Sequence, residues 1–176
     1  MQAKKPLTAK TPLKAKPKAR RKPTPLNKKS AAQLIEPADK LFSRYIRLRD
    51  SEWVDGERIG ECITCDRQLV VFTEGKFVAS AQNGHLITRG CHQLRYNEQN
   101  CSLQCAHCNA WLDKDEMIER YRNAVDMKFG NGTYKRLKAA SKREGAYKRL
   151  TKPELLEIIR YSTEQISFYL DRPLDK

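Results

Sequence analysis

Cys62-Ile63-Thr64-Cys65 and Cys105-Ala106-His107-Cys108, the latter followed at once by Asn109, bracket 39 residues between their inner cysteines. Each pair has the two-residue gap of a zinc knuckle, and two knuckles together supply four thiolates to one tetrahedral ion. Soft sulfur ligands give a closed, redox-inert cross-link with no vacant coordination position. Zinc held this way is structural, so any chemistry has to come from other side chains. The bracketed segment has little apolar content, and a metal clip would define its fold where a hydrophobic core cannot. Cys91 and Cys101 are left over. Cys101 precedes Cys105 by four residues and could compete as a ligand, but it lacks a paired partner.

Outward from the knuckles the chain changes character. Residues 1–30 hold eleven Lys or Arg, no Asp or Glu, and five of the eight prolines. That segment carries +11 of the formal +14 charge, so the remaining body is close to balanced. Such a segment cannot bury enough apolar surface to offset its ordering entropy and reads as a disordered tail. Its charge, with Lys14, Lys16, Lys18, Arg20, Arg21 and Lys22 at its densest part, suits a DNA-binding arm acting through counterion release. Neither a secretory signal nor a bilayer-length apolar run is visible, so the expectation is a soluble cytoplasmic protein with no membrane partner. Thiols stay reduced in that compartment, which favours metal over disulfides.

The body reads as an α+β fold. Leu41, Phe42, Tyr45, Ile46 and Leu48 recur at helical spacing, with Pro37 placed to open a helix over about 37–50. Asp55-Gly56 and Gly60 break that pattern. Two short strands, 67–73 and 76–79, flank a tight turn at Glu74-Gly75. A further extended stretch runs through His85, Leu86 and Ile87, with a bend or bulge expected at Asn83-Gly84. Residues 88–98 read as an irregular loop, and a strand near 100–104 leads into the second knuckle. Helices follow: one starting at 114 behind an Asp113/Glu116 capping pair and ended by Gly130-Asn131-Gly132, a basic one at 133–144, and a last one opened by Thr151 and Pro153. The expected divisions are a tail at 1–30, a helix and linker at 31–60, a zinc-bound core at 61–130 and a helical extension at 131–176.

Of the three histidines, His107 lies within a knuckle and His92 in the irregular loop, and both read as surface residues. His85 differs, because it follows Gly84 at a strand and precedes an apolar pair. His85, Asn100 and Asn109 in a frame of two zinc knuckles resemble the HNH nuclease pattern, a ββα-metal fold pinned by zinc in many members. On the matching positions the resemblance implies that His85 is the general base and that Asn100 braces the loop orienting it. It also implies that Asn109 binds a divalent cation, Mg²⁺ or Mn²⁺.

The match extends through Gly84-His85, Gln93-Leu94-Arg95-Tyr96-Asn97-Glu98-x-Asn100 and Gln104-Cys105-x-x-Cys108-Asn109. Together these are similar to the phage NinG family, also called Rap. The fold expected from the resemblance is a small zinc-stapled ββα-metal (HNH or treble-clef-like) core with flanking helices. The expected activity is cleavage of branched DNA, such as Holliday junctions or D-loops, during phage recombination. Paired cuts of a junction are compatible with a homodimer. Arg95 has two readings, a phosphate contact or a structural bridge to Glu98. A competing reading of the whole chain is a zinc-containing nucleic-acid binder without catalysis, using the tail and the basic 133–149 region.

Overall fold

The computed structural model describes residues 24–111 and 115–171. The basic side chains from Lys14 to Lys22, and Asp113 of the capping pair, lie outside the described residues. Within the segment expected as a tail, residues 24–30 form a 3-10 turn at Leu26–Lys28 and a helix cap, and Lys152 Nζ donates to Asn27 O at 2.8 Å.

Helix α1 spans Ala31–Arg49, six residues longer at its start than the apolar spacing implies. Ser30 and Gln33 form a reciprocal capping box, in which Gln33 Oε1 accepts from Ser30 N at 2.9 Å. Pro37, expected at the first turn, therefore sits inside the helix, where it gives up one backbone bond. At the other end Asp50 caps α1 from a buried position between cations. Its carboxylate meets Arg49 Nε and Lys128 Nζ, each at 2.7 Å, and accepts from Leu103 N at 2.9 Å. Burial raises its pKa, but the two cations outweigh this and hold the carboxyl below its ordinary range.

A four-stranded antiparallel meander follows: β1 (Ser51–Val54), β2 (Glu57–Glu61), β3 (Gln68–Thr73) and β4 (Lys76–Phe77). Asp55-Gly56, expected as a break, is the turn of the β1–β2 hairpin, with φ of 48° and 83°. Glu74-Gly75 makes the same kind of turn between β3 and β4, with φ of 48° and 73°. Positive φ at both central residues gives the backbone twist that a two-residue hairpin needs.

A separate two-stranded hairpin carries the end of the bracketed segment that leads into the second knuckle. It pairs β5 (Ala81–His85) with β6 (Cys101–Cys105) in unbroken register from Ala81↔Cys105 to His85↔Cys101. Asn83-Gly84 is thus regular strand rather than a bend, and the strand ends at His85 instead of continuing to Ile87. The glycine is needed for a different reason. A Cβ on Gly84 would lie 1.7 Å from Gln104 Oε1. Gln104 is fully buried and donates to Thr64 Oγ1, inside the first knuckle, at 2.7 Å. Gly84→Ala should therefore expel Gln104 and strip Thr64 of its partner, a loss of about 2–5 kcal/mol. Urea unfolding of the zinc-loaded variant checks this, and a change within about 0.5 kcal/mol of wild type would refute the packing argument.

Among the described residues four helices follow: α2 (Ala106–Ala110), α3 (Asp115–Phe129), α4 (Thr133–Ser141) and α5 (Lys152–Leu170). The basic helix stops at Ser141, short of residue 144. α5 opens on a Thr151/Glu154 capping box and packs along α1, where Leu34, Ala38, Leu155 and Ile159 form one buried cluster. Tyr121 of α3 lies in another cluster with Leu86, Ile87, Leu94 and Leu137, and its hydroxyl donates to Gly84 O at 2.9 Å. The hairpin is thus held by α1 and α3. No helix among the described residues is long and apolar enough to cross a membrane.

Candidate metal and nucleic-acid site

The four knuckle cysteines converge. Cys62 and Cys65 lie in the turn between β2 and β3, while Cys105 ends β6 and Cys108 lies one turn into α2. Backbone bonds set the first knuckle's shape: Cys62 N donates to Arg67 O, and Asp66 N to Cys62 O, each at 2.8 Å. In the second, Cys108 N donates to Cys105 Sγ at 3.4 Å. The four sulfur atoms lie within 4.8 Å of one another, and Cys65 Sγ and Cys105 Sγ are 3.9 Å apart. A tetrahedral ion with zinc–sulfur bonds of about 2.3 Å requires sulfurs about 3.8 Å apart. The quartet could therefore hold a zinc ion. Cys91 and Cys101 are not part of it: both are buried, the first in the α3–α4 core and the second against α1.

Just beyond the end of β5 the chain enters the 88–98 loop, and Asn100 controls its shape. Asn100 is fully buried. Its Oδ1 accepts from Ile87 N at 2.6 Å, and its Nδ2 donates to Ile87 O and Leu94 O, both at 2.9 Å. One side chain thus replaces the strand partner that Ile87 lacks and ties the start of the loop to its middle.

The loop brings Arg95 O to within 2.9 Å of His85 Nε2. A carbonyl only accepts, so Nε2 carries the hydrogen and Nδ1 remains the acceptor of the neutral ring. Burial pushes the His85 pKa down to about 4; the Arg95 carbonyl opposes this, and the Arg89 charge adds to it. His85 is therefore neutral across physiological pH.

His85 and Asn109 line one open cleft of about 640 Å³, together with Arg47, Gln82, Asn83 and Arg89. Asn109, on α2, donates through Nδ2 to Gln82 Oε1 at 2.7 Å, which leaves its amide Oδ1 for another partner. Apart from the cysteine quartet, no group of three or more His, Cys, Asp or Glu side chains among the described residues is placed to hold a metal. A cation at Asn109 would be held by hard amide oxygen, water and substrate oxygens, a donor set that suits Mg²⁺ or Mn²⁺ only weakly without an anionic ligand.

Of the two readings of Arg95, the bridge is made, but to Asp39 rather than Glu98. Its Nε donates to Asp39 Oδ1 at 2.8 Å and its Nη2 to Asp39 Oδ2, while Tyr96 Oη donates to Asp39 Oδ1 at 2.9 Å. Glu98 instead accepts from Tyr161 Oη at 2.9 Å. The Arg95–Glu98 bridge is therefore replaced by a fork to α1, 56 residues away. His107 is exposed, and His92 is only partly so. Sequence reasoning missed Arg47, Gln82, Asn83 and Arg89. Gln82 and Asn83 are neighbours in β5, and no local pattern marks them or Arg47 as cleft residues.

An α+β fold with a four-cysteine cluster in this order matches a known family. The chain belongs to the bacteriophage lambda NinG protein family, whose model matches residues 2–168. Membership makes it a phage recombination-related protein. No curated protein and no solved structure matches the chain.

Proposed function

We propose that the protein is a metal-dependent endonuclease acting on branched DNA, a Holliday junction or D-loop, with β5, β6 and α2 serving as a ββα-metal core. The observation that carries this reading is the shared cleft: the imidazole of His85 and the amide of Asn109 line the same open space. His85 Nδ1 takes a proton from the attacking water while Nε2 stays on the Arg95 carbonyl. Asn100 keeps that carbonyl in place by holding Ile87 before the loop and Leu94 next to Arg95. Asn109 Oδ1 orients the cation side of the cleft. A Mg²⁺ or Mn²⁺ ion bound there would supply neutralisation of the phosphate and stabilisation of the leaving 3′-oxygen. Zinc in the cysteine quartet would fix β6 and α2 relative to the meander and take no part in the chemistry.

The second reading, a zinc-containing binder without catalysis, is supported by the absence of any carboxylate among the described cleft-lining residues. One experiment separates the two. Zinc-loaded protein is incubated with a labelled four-way junction and with linear duplex, with and without added Mg²⁺. The proposal expects Mg²⁺-dependent cutting of the junction that leaves 5′-phosphate and 3′-hydroxyl ends. Tight junction binding with no cutting in either Mg²⁺ or Mn²⁺ would establish the binder instead.

A further inference from the structure

Arg47 is half-buried, lines the cleft, and has no carboxylate partner among the described residues. Its Nε donates to Ser43 O at 3.2 Å, and its Nη1 to Val78 O at 3.2 Å and Ala81 O at 2.9 Å. Those bonds lock the guanidinium in place but bring it no negative charge, and they leave both Nη2 hydrogens unused. Arg44, one turn earlier on α1, adds to the imbalance. The Arg44 and Arg47 guanidinium carbons lie 5.1 and 4.7 Å from the centre of the same Phe77 ring. Burial, then the Arg44 charge, push Arg47 down to about 10. Asp39, on the Ser43 and Arg47 stripe of α1, is already held by Arg95 and Tyr96. Exposed Arg89 reaches the same cleft from the 88–98 loop.

Arg47 and Arg89 line a cleft without a described carboxylate, and Arg44 adds a third positive charge beside Arg47 at Phe77. A surface cluster of this kind would simply be solvated, but Arg47 is desolvated and rigidly held. We propose that Arg47, with Arg44 and Arg89, forms a phosphate subsite that grips the nucleic-acid backbone in the cleft beside His85. The free Nη2 hydrogens of Arg47 suit a phosphodiester oxygen, and a diester bridging Arg44 and Arg47 relieves their mutual repulsion. This rests on the nuclease reading only for which phosphate is held, since binding itself needs no cleavage.

The test is junction binding by the full zinc-loaded chain without added divalent cation, followed by fluorescence anisotropy over a range of salt concentrations. Arg44→Gln, Arg47→Gln and Arg89→Gln should each reduce the slope of log K against log salt by about 0.9. At 0.1 M salt each should weaken binding roughly tenfold. A purely structural Arg47 would lower the melting temperature and leave the slope alone. If Arg47→Gln does not fold, Arg44→Gln and Arg89→Gln carry the test, because neither side chain makes a backbone bond that holds the fold. Wild-type slopes in the folded variants overturn the subsite. A reduced slope in a protein that never cuts DNA would leave the subsite standing and remove the nuclease reading alone.

Discussion

Replacing Cys108 with serine is expected to release zinc and unfold the hairpin and meander together. The core around the quartet contains Leu69, Val71, Ala81 and Leu103 as its buried apolar side chains besides the cysteines. Burying a Leu or Val contributes roughly 1.5–3 kcal/mol. Ordering backbone costs about 1–2 kcal/mol per residue, and the segment between the knuckles contains 39 residues. A structural zinc contributes on the order of 10–16 kcal/mol at pH 7, more than the whole stability of many domains. Cys108 is fully buried and anchors α2 to β6, so its loss opens the quartet from inside the core. The measurement is zinc content by elemental analysis alongside thermal unfolding. Full zinc occupancy with a wild-type melting curve would show that the cluster is not what holds this core.

Much of this arrangement can be read from local chemistry. The knuckle spacing announced a four-sulfur cluster because two residues between cysteines set a turn that points both thiols one way. Thr151 and Glu154 marked the start of α5, and Glu74-Gly75 marked a hairpin, because caps and tight turns are decided by neighbours in sequence. The β1–β2 hairpin escaped notice because its strands are largely polar and half-exposed, so they carry no clear alternation. Pro37 misplaced the start of α1, since proline favours a first turn and the Ser30/Gln33 box was the stronger signal. Gly84 read as a flexible point, whereas its role is the close approach of Gln104 from the paired strand. Arg95's fork to Asp39 and Arg47's position over Phe77 depend on how α1 lies across the hairpin. No spacing in the chain encodes that packing.

Changing His85 to alanine is expected to slow junction cleavage by about 10²–10⁴-fold, the usual contribution of a positioned acid–base group. Zinc content and junction affinity should stay close to wild type, because His85 sits at the far end of the hairpin from Cys105 and is not one of the quartet's ligands. The acid side of the kcat/KM profile offers a second signature, because it reports the free enzyme. A base must be neutral, and burial holds this ring neutral down to about pH 4. Activity in the wild type should therefore persist below pH 6.5, where an ordinary imidazole would already be protonated. The most direct measurement is the single-turnover cleavage rate of a four-way junction by zinc-loaded wild type and His85→Ala side by side in Mg²⁺. The account predicts rapid wild-type cutting and a loss of at least two orders of magnitude in the variant. Equal rates would contradict it.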